Sequence, residues 1–184
     1  YMYDDNVQKS LKSVGIAGTV SESQSDYLHI NDSNLGGRKS NLYVTQEVIQ
    51  DIEVKDDGSI VKTLTITYKN PEKYDGWLNS VLPNWVRVYV PNGSELISFD
   101  GVEEKAETFE DLEKTVFSGY FQLRPLGLSK VTLVYKLPFN TTDGDVELIV
   151  QKQPGKKSFP YTINTPKNTY EFDLSTDKKI KYKL

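Results

Sequence analysis

The sequence predicts an all-β fold: an antiparallel β-sandwich of immunoglobulin-like type, with a short N-terminal helix and a small α/β appendage. Three observations carry this. Alanine, the best helix former, occurs only twice in 184 residues, at Ala17 and Ala106. Valine (17), isoleucine (10), threonine (14) and tyrosine (12), which suit a pleated, half-buried surface, together make 53 residues. From Leu42 onward, apolar residues recur at every second position in one segment after another, with Pro, Gly and Asn between them.

The one convincing helix is at the front. Val7, Leu11 and Val14 fall at i, i+4 and i+7, Asp4 and Asp5 suit the positive end of the helix dipole, and Gly15 is the expected stop. Two short extended pieces follow, Ile16–Val20 and Tyr27–Ile30, then a turn-rich segment, NDSNLGGRKSN, at 31–41. We place a boundary near Asn41. Residues 1–41 are expected to form a helix and extended appendage, the end of a preceding domain or an edge of the sandwich. Residues 42–184 are expected to form the sandwich itself.

Strand parity fixes the first hairpin. Val44, Val48, Ile52 and Val54 share a face, interrupted by Gln46 and Gln50, and after KDDG the next strand aligns Ile60, Leu64, Ile66 and Tyr68. A two-residue loop would pair positions summing to 115 and set apolar residues against polar ones. The three-residue loop Asp56-Asp57-Gly58 gives sums of 114 and keeps the apolar sets together, with Gly58 as the left-handed residue. The same alternation places Val86, Val88 and Val90 inward. It does so too for Phe117, Gly119, Phe121 and Leu123, and for Val131, Leu133, Tyr135 and Leu137. Four further segments, VELIV, FPYTI, YEFDL and KIKYKL, bring the count after Leu42 to ten strands, with ELISF among them. That spacing favours two packed sheets over a closed barrel. The acidic stretch EEKAETFEDLE is expected to be a solvated loop or one helical turn. The lysine-rich end (Lys178, Lys179, Lys181, Lys183) describes an edge strand protected by charge.

Several function classes fall away on composition. Without cysteine there is no thiol nucleophile, disulfide or thiolate metal site. With His29 alone, no two-histidine metal site can form, and no cofactor is implied. A net charge of −4 gives phosphate no reason to bind, so nucleic acid is not an expected partner. No apolar run reaches the ~18 residues a transmembrane helix needs, so this segment itself is not expected to contact a membrane. The chain opens on Tyr1, and we expect it to be an excised piece of a longer protein.

The candidate sites are few. NLGGRKSN lacks the phosphate-loop spacing, because Arg38 separates Gly37 from Lys39, and it reads as a turn entering a strand. Asp143 and Asp145 in TTDGD are weak calcium candidates, with a hairpin turn as the plainer reading. The other acidic pairs, Asp56/Asp57, Glu103/Glu104 and Glu110/Asp111, are sequence neighbours and do not establish a glycosidase cleft. His29 alternates with Leu28 and Ile30, which puts it on the surface if those face the core. Among the aromatics, Tyr74, Trp77, Trp85, Tyr89 and Tyr120 could form a sugar-stacking platform or simply pack. Trp77, in the irregular link DGWLNSVLPN, is the best candidate for an exposed ring.

The segments DYLHINDSNLGGRKSNLYV, LTITYKNP, WVRVYVPNGSELIS, TVFSGYFQLRPLGLSKVTLVYKLP and VELIVQKQPG, in that order and after the leading helix-then-Gly stretch, resemble the C-terminal region of the bacterial domain-of-unknown-function 4012 family. The resemblance covers roughly residues 1–155. It implies a parent with an N-terminal membrane anchor, and a placement of this piece outside the cytoplasmic membrane, on the cell surface. The family has no established activity, so no catalytic residue carries over. Two stretches carry over as positions: Asp32–Asn41, whose Arg38, Lys39, Ser40 and Asn41 offer polar contacts, and Gln151–Gly155. Arg38 stands where the family pattern leads us to expect a small residue. The expected function is a non-catalytic structural or adhesion-type domain. The alternative is a glycan- or cell-wall-binding module using exposed aromatics, with Arg38, Lys39, Asn41, Trp77 and Trp85 as ligand contacts. A carboxylate-based enzyme of envelope polysaccharide is the third reading. The expected partners are a surface glycan or another surface protein.

Overall fold

The structure, a computed structural model, describes residues 2–14, 16–23, 25–140 and 145–184. Among them lie twelve strands in two six-stranded sheets. Sheet A runs β12 (Lys178–Lys183), β9 (Asp145–Gln151), β1 (Asp26–Asn34), β4 (Leu82–Pro91), β7 (Lys114–Leu123), β6 (Glu107–Asp111). Sheet B runs β11 (Thr169–Leu174), β10 (Phe159–Asn164), β2 (Thr45–Val54), β3 (Ser59–Lys69), β8 (Leu128–Asn140), β5 (Glu95–Asp100). Pairing is antiparallel except for β1 with β9 and β2 with β10, which are parallel.

The fold is the all-β sandwich that the alternation predicts. Leu28, Ile30, Val86, Val88, Phe117, Phe121 and Leu148 from sheet A meet Val48, Leu64, Ile66, Val131, Leu133, Tyr135 and Ile163 from sheet B in one core. Each such side chain contributes about 1.5–3 kcal/mol by leaving water. The first hairpin has the expected register, from Thr45↔Lys69 to Val54↔Ile60, every pair summing to 114. Its loop is closed by Lys55 N–H to Ser59 O (2.9 Å) and Gly58 N–H to Lys55 O (2.9 Å), with Gly58 at φ 79°. At the other end of the chain, β12 is an edge strand with its lysines exposed, as the charge pattern predicts.

The sequence reading misplaces three features. Residues 31–34 are not a turn: they continue β1 and pair with Arg87–Asn84 of β4. With β9 on one side and β4 on the other, β1 lies inside sheet A, so the boundary expected near Asn41 passes between two strands of the same sandwich. The acidic stretch around Glu107 is not a loop or helical turn but edge strand β6, paired with β7 from Glu107↔Ser118 to Asp111↔Lys114. His29 is not on the surface. It is buried on the outer face of sheet A beside a small cluster of Tyr27, Tyr89, Val116 and Ile149, against which Val20 packs.

That outer-face cover explains the appendage. Gln151 in β9 clamps the extended segment, accepting from Ser21 N–H (2.9 Å) and donating from Nε2 to Thr19 O (2.7 Å). The His29 Nδ1 hydrogen-bonds to Gln151 O (3.0 Å), and burial pushes the imidazole below its ordinary range. Ahead of this segment, α1 (Asp5–Ser13) is capped by Asp4, whose carboxylate accepts from Asn6 N–H (2.8 Å) and Val7 N–H (3.1 Å). It buries no residue, and Val7 and Val14 stay exposed. The expected stop, Gly15, lies outside the described residues.

Candidate functional site

One end of the sandwich gathers three loops: 35–44 between β1 and β2, 70–81 between β3 and β4, and 124–127 between β7 and β8. Backbone bonds fuse them. Lys39 N–H donates to Leu78 O (3.0 Å), Leu126 N–H to Glu72 O (3.1 Å), Asn70 N–H to Gly127 O (3.0 Å) and Leu35 N–H to Pro83 O (2.9 Å). Ser40 Oγ both donates to Ser80 O and accepts from Ser80 N–H, each at 2.9 Å.

The middle loop is built around two side chains. The Asp75 carboxylate accepts from the backbone N–H of Trp77 (2.8 Å), Leu78 (2.7 Å) and Asn79 (2.7 Å), and these bonds hold its pKa below the usual carboxylate range. Asn79, fully buried, donates to Glu72 O (3.1 Å) and Lys73 O (2.9 Å) and accepts from Asn70 Nδ2 (2.8 Å). The loop is therefore held from within, although it faces solvent. On it Trp77 is 80% exposed and Tyr74 63% exposed. Leu35, Leu42 and Leu126 on the neighbouring loops are exposed as well, and Leu126 sits in the left-handed region at φ 58°. Between the loops lies an open groove of about 400 Å³ lined by Tyr43, Pro71, Glu72, Lys73, Tyr74 and Leu126, with Asp75 and Asn79.

The sequence-derived contacts divide. Arg38, Lys39, Asn41 and Trp77 do come together at this end. Arg38, however, is occupied: its guanidinium donates to Gly76 O and Trp77 O (3.2 Å) and lies 6.0 Å from the Tyr74 ring centre. Asn41 Oδ1 accepts from Asn34 Nδ2 (3.0 Å). Lys39 is exposed. The glycine turn serves close approach, since a Cβ on Gly36 would meet Pro83 Cδ at 3.0 Å. Trp85 lies on β4 and tilts against Tyr120 across sheet A, ring centres 6.3 Å apart. Of the calcium candidates, Asp145 is exposed at the start of β9, and Asp143 lies outside the described residues. Other acids are tied locally: Asp57 to Ser59 N–H (2.9 Å), Glu103 to Gln122, and Asp111 to the Tyr89 hydroxyl (3.0 Å). Among the described residues no group of three or more His, Asp or Glu could hold a metal ion.

Sequence reasoning missed a second constellation, inside the core. Lys62 of β3 and Asp26 of β1 form an ion pair with both side chains fully buried, and the Tyr182 hydroxyl donates to the same carboxylate oxygen, Oδ2, at 2.8 Å. Nearby, Gln50 takes a hydrogen bond from the Tyr161 hydroxyl (3.1 Å) and gives one to Tyr135 (3.5 Å). A third group lies toward the loop end. Asp32 pairs with Lys156 and accepts from Tyr68 (2.8 Å) and Asn84 (2.7 Å), while Gln153 bonds both the N–H and C=O of Asp32. This gives the Gln151–Gly155 stretch its role: it closes the loop after β9 onto β1. The available signal was polar residues at inward parity: Gln46, Gln50 and Lys62 on one hairpin.

No family model matches the chain, and no curated protein does. Among solved structures it is similar to a "putative nutrient binding protein" from Legionella pneumophila subsp. pneumophila str. Philadelphia 1. The two are 9% identical, with 85% of this chain and 70% of that one covered at a TM-score of 0.47.

Proposed function

We propose that this chain is a non-catalytic, adhesion-type domain of a membrane-anchored bacterial surface protein, immunoglobulin-like in design and displayed outside the cytoplasmic membrane. The observation that carries the reading is the loop end: three loops hydrogen-bonded into one body that nevertheless hold Trp77, Tyr74, Leu35, Leu42 and Leu126 in solvent. Pre-ordered loops with exposed apolar side chains suit recognition, because little entropy is lost when a partner covers them. The extracytoplasmic placement is supported by the ordered resemblance to the domain-of-unknown-function 4012 family.

One observation favours a second reading, glycan or cell-wall binding. Tyr74 borders a groove that also presents Glu72, Lys73 and Asp75, and Trp77 stands three residues further along the same loop. An aromatic face beside hydrogen-bonding groups matches a sugar ring.

A glycan array and a cell-wall pull-down, run on the wild type and on Trp77→Ala, separate the readings. Capture by glycan or wall that Trp77→Ala abolishes selects the second. Saturable, Trp77-dependent adherence to cells stripped of surface glycan selects adhesion to a surface protein. Hydrolysis of envelope polysaccharide by the chain would overturn both.

A further inference from the structure

The buried pair in the core is chemically unusual. Lys62 comes from sheet B and Asp26 from sheet A, and neither side chain has any exposure to water. An ion pair so placed loses much of its Coulomb gain to desolvation. Burial pushes the Lys62 amine below its ordinary range, toward its neutral, nucleophilic form. The two carboxylate oxygens are also held differently. Oδ2 contacts Lys62 Nζ and the Tyr182 hydroxyl, whereas Oδ1 accepts the backbone N–H of Tyr27 at 2.9 Å.

We propose that Asp26 and Lys62 condense into an amide that joins the two sheets covalently. A proton passes from the ammonium to Oδ2, giving an amine and a carboxylic acid. The Nζ lone pair attacks Cγ, the carbonyl π pair moves onto Oδ1, and the Tyr27 N–H stabilises the charge that collects there. The Tyr182 hydroxyl gives its proton to Oδ2 and is restored by one from Nζ. The Cγ–Oδ2 bond then breaks, water leaves, and the C=O to Oδ1 reforms. One C–N bond replaces one C–O bond, and no oxidant or cofactor enters. Among the described residues no second carboxylate touches the pair, and the Tyr182 hydroxyl, bonded to Oδ2, is the proton carrier. The half-buried pair Lys156–Asp32 is the internal contrast. Its lysine keeps 26% side-chain exposure, so water holds it as an ammonium and the pair stays ionic.

The test is the intact mass of the folded 184-residue chain after denaturation, with peptide mapping. The expected mass is one water below that of the sequence, trypsin no longer cuts after Lys62, and a branched peptide contains Asp26 and Lys62. A mass equal to the sequence mass overturns the proposal. So does a water loss that persists in Lys62→Met or maps to an Asp-Gly step such as Asp57-Gly58 or Asp100-Gly101, where succinimide formation has the same mass. The wild-type branched peptide decides the matter even if Lys62→Met fails to fold. In chain recovered unfolded from inclusion bodies, before any cross-link has formed, Tyr182→Phe is expected to lower the cross-linked fraction at early times of first folding; an unchanged time course would overturn the Tyr182 relay.

Discussion

Gly101 and Gly155 share one backbone conformation and differ in what surrounds them. Both have φ near 82°. Among the described residues a Cβ on Gly155 would meet no heavy atom within 4 Å, whereas on Gly101 it would lie 2.0 Å from Lys130 O and 3.1 Å from Val131 Cα. The left-handed conformation costs a non-glycine residue about 1–2 kcal/mol, and both Gly→Ala variants incur it. Gly101→Ala adds an overlap with the β8 backbone that no side-chain rotation relieves, worth about 1–3 kcal/mol more. Gly155→Ala should therefore lose about 1–2 kcal/mol and Gly101→Ala about 2–5 kcal/mol. Urea unfolding followed by far-UV circular dichroism reads the difference. With a slope of about 1–3 kcal/mol per molar, the Gly101→Ala midpoint should fall about 1 M below that of Gly155→Ala. Equal midpoints would refute the close passage of the chain over β8 where it leaves β5 for β6, and with it the crossing between sheets at that edge.

Three more variants report on other layers. Ser118 is fully buried and its hydroxyl has no hydrogen-bond partner among the described residues, so Ser118→Ala should raise unfolding free energy by about 1 kcal/mol, measured in the same urea assay. The β6–β7 turn places Leu112 (φ 50°) and Glu113 (φ 57°) in the left-handed region, and replacing them by Asn and Gly should raise the thermal midpoint with a gain of about 1–2 kcal/mol. His29, held neutral by burial, binds fewer protons folded than unfolded below its ordinary value of 6.5. Stability should therefore be full above that pH and fall as pH drops below it, and His29→Phe should flatten this decline in denaturation curves between about pH 7.5 and 5.

The legible parts of the fold were those governed by parity alone. The register of β2 with β3 follows from which apolar residues must share a face, and Gly58 marks its turn. β6 was illegible for the converse reason. Its turn is Leu112-Glu113, with no Gly, Asn or Asp at either left-handed position, and its five residues are all exposed, so neither punctuation nor burial marks it. The end of β1 was hidden by composition. Asn31-Asp32-Ser33-Asn34 has the residues of a turn, but Asp32 bonds across to Tyr68, Asn84 and Lys156, contacts far apart in sequence. His29 was misplaced because alternation assigns a face without telling whether another segment covers it. Of the candidate site, Trp77 could be picked out as an exposed ring in an irregular link. The consumption of Arg38 by the Gly76 and Trp77 carbonyls could not.

That division of roles bears on the contact face itself. Of the polar side chains offered by the sequence as ligand contacts, Arg38 holds the 74–79 loop and Asn41 anchors Asn34, while Lys39 stays exposed; Asp75 and Asp32, which the sequence did not single out as contacts, hold the same loop and the loop after β9. Outward the loops present Trp77, Tyr74 and three leucines beside Lys39, Glu72 and Lys73. A ring the size of tryptophan offers about 150–250 Å² to a partner, and at 80% exposure Trp77 gains about 3–5 kcal/mol if fully covered. The usual opposing term, ordering a mobile loop on binding, is small where three backbone N–H groups already converge on Asp75. An exposed Trp on a floppy loop would be weak grounds for recognition. Held in this way, it makes the loop end the face on which a partner gains most from docking, with Trp77 supplying the gain and the Asp75 carboxylate keeping the loop ordered so that little of it is lost.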